Sequence, residues 1–163
     1  MLLILPVTLT LGCTGSGEPV PSASPSFAEP STDTSSVSLG APGCRPESPI
    51  TVGGDGFPEV RGTGQEATLY GLIMATSQRP VFAGEEVKIV WRMTGAGPLR
   101  LSLSDAAGTM EPLLWGPTSH GGSTYHRPGD EWGAGYRFPS PGCWRLHAQR
   151  TVGSADVWLQ VDP

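Results

Sequence analysis

Apolar and polar residues alternate with a period of two through most of the second half of the chain. That is the repeat of a strand with one wet face. Val87, Ile89, Trp91 and Met93 alternate with Lys88, Val90 and Arg92. Leu99, Leu101 and Leu103 alternate with Arg100, Ser102 and Ser104. Trp132, Ala134, Tyr136 and Phe138 share one parity, as do Trp144, Leu146 and Ala148 and then Val157, Leu159 and Val161. An earlier apolar run, 67–75, predicts a strand interrupted at Gly71, and Leu113 to Trp115 predicts a short one. No stretch carries a helical repeat.

Turn chemistry separates these runs: Ala83-Gly84, Thr94-Gly95-Ala96-Gly97, Ala107-Gly108, Pro139-Ser140-Pro141-Gly142 and Val152-Gly153-Ser154. About seven short strands with such punctuation predict an all-β domain, an immunoglobulin-like antiparallel β-sandwich. A small closed barrel is the alternative. The final third reads as a three-strand meander closing one sheet.

The first part of the chain has a different pattern. Met1 to Leu11 is apolar apart from Thr8 and Thr10. Eleven residues fall short of the roughly 20 a spanning helix needs but fit the apolar region of a signal peptide. Cys13 follows at once, preceded by Thr10, Leu11 and Gly12. Gly12 suits a lipidation signal; Leu11 does not, and the first basic residue is Arg45. Residues 14–43 are rich in Pro, Ser, Thr and Gly, with three acids and no base. Such a segment has too little apolar surface to offset the entropy of ordering it. The expected organisation is a signal peptide over 1–12, a lipidated Cys13 with a tether over 13–43, and a β-domain over 44–163.

That domain holds ten basic and twelve acidic residues and all five Trp. With no basic stripe, it does not read as a nucleic-acid binder. With Cys13 assigned to lipid, Cys44 and Cys143 remain, and an even pair outside the cytoplasm predicts a disulfide. By alternation Cys143 points away from the face that buries Trp144 and Leu146.

Candidate chemistry gathers in 116–135, read as the longest stretch between strands. It holds His120, Tyr125, His126, Arg127, Asp130, Glu131 and Trp132. Long loops on β scaffolds are where binding groups tend to sit. His120 and His126 with Asp130 or Glu131 are a candidate set for copper or zinc. Alternatively Tyr125 and Trp132 stack a sugar or peptide. The opposing reading is ordinary turn chemistry, with Arg127 paired to Asp130 or Glu131. A copper site on Cys143 and His147 fails on geometry, because residues four apart on a strand are separated by about 13 Å. No nucleophile elbow, zinc-protease helix or phosphate-cradling loop is present, so no enzyme and no cofactor is expected.

The run Phe138-Pro139, then Pro141-Gly142-Cys143-Trp144, with Cys44 as its matching cysteine, resembles small secreted lipoproteins of actinobacteria and other bacteria. The resemblance covers roughly 44–161. It implies the β fold, the disulfide and a place at the cell membrane, and it implies no activity. The functional expectation is a membrane-anchored, extracytoplasmic lipoprotein with a non-catalytic binding domain. Its partner would be an envelope protein or a cell-wall polymer; the alternative is a metal-handling envelope module.

Overall fold

Alternating sequence has become alternating burial in the strands whose outer side is bare. The computed structural model describes residues 43–53, 56–75 and 81–163. The expected signal peptide, Cys13 and nearly all of the tether lie outside the described residues, as do Gly54 and Asp55. Ten strands follow in order: β1 (Ile50–Val52), β2 (Pro58–Gln65), β3 (Leu69–Met74), β4 (Glu86–Met93), β5 (Arg100–Asp105), β6 (Met110–Glu111), β7 (Trp115–Ser119), β8 (Asp130–Arg137), β9 (Gly142–Gln149) and β10 (Ser154–Val161). All their strand pairings are antiparallel, and no helix occurs among the described residues.

The strands form one curled sheet in the order β6-β5-β9-β10-β2-β3-β4-β8-β7, with β1 on the other edge of β2. The curl is made by β2, which serves both halves. Its residues Glu59 to Gly62 pair with β3, whereas Thr63 to Gln65 pair with β10. Gly64 permits that change of partner. A Cβ there would lie 2.4 Å from the Ser154 carbonyl oxygen and 2.6 Å from the Ala155 Cβ.

Both halves face one core. Trp91, Tyr136, Phe138 and Trp144 form a continuous aromatic series through it. The Trp91 indole N–H donates to the Tyr136 hydroxyl at 2.9 Å, so the largest buried ring also satisfies its polar atom. Gly71 does not interrupt its strand. The Trp91 ring packs over it, and a Cβ would meet the ring at 2.6 Å.

Three expectations are corrected. Among the described residues there are ten strands, not about seven: β1, β2 and β6 lack clean alternation, and β7 begins at Trp115 and runs onward to Ser119 instead of covering Leu113. The last three strands are not a meander. β8 pairs with β4 and β7, whereas β9 pairs with β10 and β5, so the Pro139–Gly142 turn carries the chain across the core from one half to the other. The edge-on contact of Phe138 with Trp144, centroids 5.6 Å apart, spans that crossing. Finally, 116–135 is not one loop. Its ends are β7 and the start of β8, leaving a connection of ten residues, 120–129.

Cys44 and Cys143 form the expected disulfide across a sequence separation of 99. The opening segment then follows the part of the β10 edge that β2 leaves free. Ser48 N donates to the Trp158 carbonyl at 3.0 Å, Trp158 N to Ser48 Oγ at 2.9 Å, and Cys44 N to Gln160 Oε1 at 3.2 Å.

Candidate functional site

The connection 120–129 folds back across the outward face of the β2–β3–β4–β8 half as a strap. Tyr125 anchors it, packing with Leu72 and Val90 in a small apolar cluster that Phe57 and Tyr70 flank. Its hydroxyl is sealed from solvent and, among the described residues, makes no well-formed hydrogen bond, although Glu59 lies beside it. Burial, then the neighbouring Glu59 carboxylate, push its pKa far up, so the phenol stays protonated. Arg127 is the second anchor. Its Nε and Nη2 meet the two oxygens of buried Glu59 at 2.8 and 2.9 Å, and its guanidinium lies 5.6 Å from the Tyr70 ring centroid. The local pairing expected with Asp130 or Glu131 is therefore wrong. The partner is 68 residues away on β2, at a separation that local sequence does not report.

Glu131 is the third anchor, with 1 % of its side chain exposed. Arg92 Nη2 stands 2.7 Å from its Oε2, to which Ser123 Oγ donates at 2.5 Å. His120 Nδ1 lies 2.6 Å from Oε1, at ion-pair distance but off the line of a hydrogen bond. Asp130 is held differently, by Arg150 Nη2 at 2.6 Å. Arg150 is itself buried, gives its other donors to the Gly97 and Met93 carbonyls, and lies 4.7 Å from the Trp132 ring centroid.

The predicted residues thus separate. His120, Asp130, Glu131 and Trp132 line one groove of about 530 Å³, together with Arg92, Arg150 and a glycine rim at 121, 122 and 129. Tyr125, His126 and Arg127 line another, of about 210 Å³, with Glu59 and Leu72. His120 and His126 do not converge. Among the described residues no three His, Cys, Asp or Glu side chains gather as a metal set, and Cys143 is committed to the disulfide. Sequence reasoning missed Arg92, Arg150 and Glu59 altogether. Arg92 and Glu59 sit on strands as ordinary wet-face charges, and only the strap turns them inward.

The larger groove opens at a defined end of the domain. Met93 pairs with Asp130, and Glu86 with Arg137, along β4 and β8. Arg150, just beyond β9, reaches Met93 and Asp130, which places the groove at that end. Cys143, the second residue of β9, lies at the other end, bonded to Cys44. Eight-residue strands separate the two by about 25 Å.

No protein-family model matches the chain, and no curated protein and no solved structure matches it.

Proposed function

We propose that this protein is an extracytoplasmic lipoprotein, anchored through lipid on Cys13. Its domain, an immunoglobulin-like antiparallel sandwich in this reading, is a non-catalytic module that binds a cell-wall polymer in the groove beside His120. The observation that carries this is the placement of the groove, at the end opposite the Cys44 disulfide where the chain joins its tether. A domain held at one end presents the other outward. The groove suits a neutral polar polymer. Arg92 and Arg150 are balanced by Glu131 and Asp130, and Trp132, with Arg150 over its ring, is part of the lining. Its volume is that of a small-molecule cleft rather than a protein interface. The disulfide supports an oxidising compartment.

Radiolabelled palmitate should enter the full-length protein, and Cys13→Ser should abolish labelling and release the protein to the medium. Full-length protein in detergent should co-sediment with purified, protein-free cell wall, and His120→Ala should weaken that binding. A Cys13→Ser variant that stays labelled and membrane-bound overturns the anchoring. Absence of co-sedimentation overturns the binding.

A further inference from the structure

Among the described residues Trp115 is the one exposed aromatic side chain, and its placement singles it out. Its indole extends along β8. A Cβ on Gly135 would stand 2.1 Å from its Nε1, and a Cβ on Gly133 would stand 3.5 Å from its Cη2 and Cζ3. The pyrrole end therefore rests over one glycine and the benzo end over the next glycine on the same face. Any side chain at 135 would lift the ring. With one face on this shelf, Trp115 still leaves 45 % of its surface exposed.

The outward side of the sheet around that ring carries polar residues. Lys88 is directly cross-strand from Gly135, and Thr118 from Gly133, so both stand on the outward side with the indole. The His120 Nε2 lies 3.4 Å from the same point above Gly133 that the Trp115 ring approaches to 3.5 Å. His120 also lines the groove. Groove, imidazole and indole thus follow one another along the outward face of β8.

We propose that Trp115 is a stacking platform for a pyranose ring of a glycan strand that continues from the groove across His120. A pyranose has one face of C–H groups and a rim of hydroxyls. Laid on the indole, the C–H face leaves water, and the rim meets Lys88, Thr118 and His120. A preorganised ring loses little side-chain entropy on binding, because the glycine shelf already fixes it. The ligand class is a neutral or N-acetylated glycan. This rests on the cell-wall reading above and names the polymer and a second contact for it.

The test uses full-length protein in detergent and soluble β-linked N-acetylhexosamine strands freed of peptide, with affinity read by calorimetry. Trp115→Ala should weaken binding by about tenfold or more, as truncating a central aromatic anchor does. Trp115→Tyr should retain most of it, and both variants should keep the circular dichroism of the parent. If the parent binds and Trp115→Ala binds equally, while His120→Ala fails, the platform is overturned and the groove stands. If Trp115→Tyr loses as much as Trp115→Ala, the indole acts through packing and the platform is again overturned. If the parent binds no glycan strand, the cell-wall reading itself fails.

Discussion

The two outward faces of the curled sheet carry similar ion-pair clusters in opposite settings. On the β2–β3–β4–β8 half, Glu131 lies beneath the strap with 1 % of its side chain exposed, held by Arg92, His120 and Ser123. On the β5–β9–β10 half, Asp156 is held by Arg145 and His147 with 30 % exposed and, among the described residues, no loop above it. In the first cluster the carboxylate itself has been taken out of water, while Arg92 and His120 keep 18 % and 36 % of their side chains exposed, so Glu131 depends on its partners. The second remains within reach of solvent, which competes for every bond. The same residue types therefore fasten a loop on one face and contribute little on the other.

The sharpest way to break the comparison is to remove Glu131. Glu131→Ala strands the Arg92 guanidinium under the strap, and breaking a buried pair in this way costs about 3–5 kcal/mol. Urea denaturation should show that loss. The double change Arg92→Met with Glu131→Leu should lose far less than the sum of the single variants. An additive result would mean the pair is not desolvated.

The disulfide comes next, because it ties the opening segment to the bare half. Replacing Cys44 and Cys143 together by Ser should cost about 2–5 kcal/mol. Hydrogen exchange should locate the loosening at Trp158 N and Ser48 N, which bond across that edge, and leave the strap protected. Loss of protection at Tyr125 instead would show that the two faces are coupled.

The contrast between faces also explains what the sequence could tell. Burial alternates strictly in β10 and nearly so in β9, because their outer side is wet. These runs read correctly, whereas the Cys44–Cys143 pairing came from cysteine parity once Cys13 was assigned to lipid. In β8 six consecutive residues are buried, since the strap, Trp115 and the core cover it on both sides. There the alternation of Trp132, Ala134 and Tyr136 was legible, but Glu131, Gly133 and Gly135 gave no sign that they too were covered. The candidate site suffered for the same reason. His120, Glu131 and Trp132 were named from type and position, yet their partners Arg92 and Arg150 come from other strands. Pairings such as Arg127 with Glu59 exist only once β2 and the strap have met. The meander failed because a Pro-Ser-Pro-Gly turn reads the same whether it joins neighbours or crosses a core.

A smaller effect tests the strap from within. The Tyr125 hydroxyl is buried and, among the described residues, makes no well-formed hydrogen bond, so it carries a desolvation cost without a compensating bond. Tyr125→Phe should leave the fold intact and raise stability by up to about 1 kcal/mol, read from thermal melts. Tyr125→Ala should release the strap, since it empties the centre of its apolar cluster. A destabilising Tyr125→Phe would mean that the hydroxyl is bonded to Glu59 after all.

The smallest effect belongs to the bare face. Burial raises the Asp156 pKa, but the bonds from Arg145 and then His147 outweigh it and hold the carboxyl below its usual value of 3.8. A group depressed on folding stabilises the native state fully above its unfolded value. That contribution is lost as pH falls through the lower folded value. Asp156→Asn should therefore cost only about 0.2–1 kcal/mol at pH 7, the range of exposed pairs. The difference from the parent should persist at pH 5 and fade below about pH 3.8, toward the folded value. It should also shrink in 1 M salt, where the screening length falls to about 3 Å. Denaturation curves of both proteins at pH 7, 5 and 3, with and without salt, give the comparison directly. A penalty as large as that of Glu131→Ala, insensitive to salt, would show that the bare face is covered in the protein as it works, and the contrast between the two faces would no longer hold.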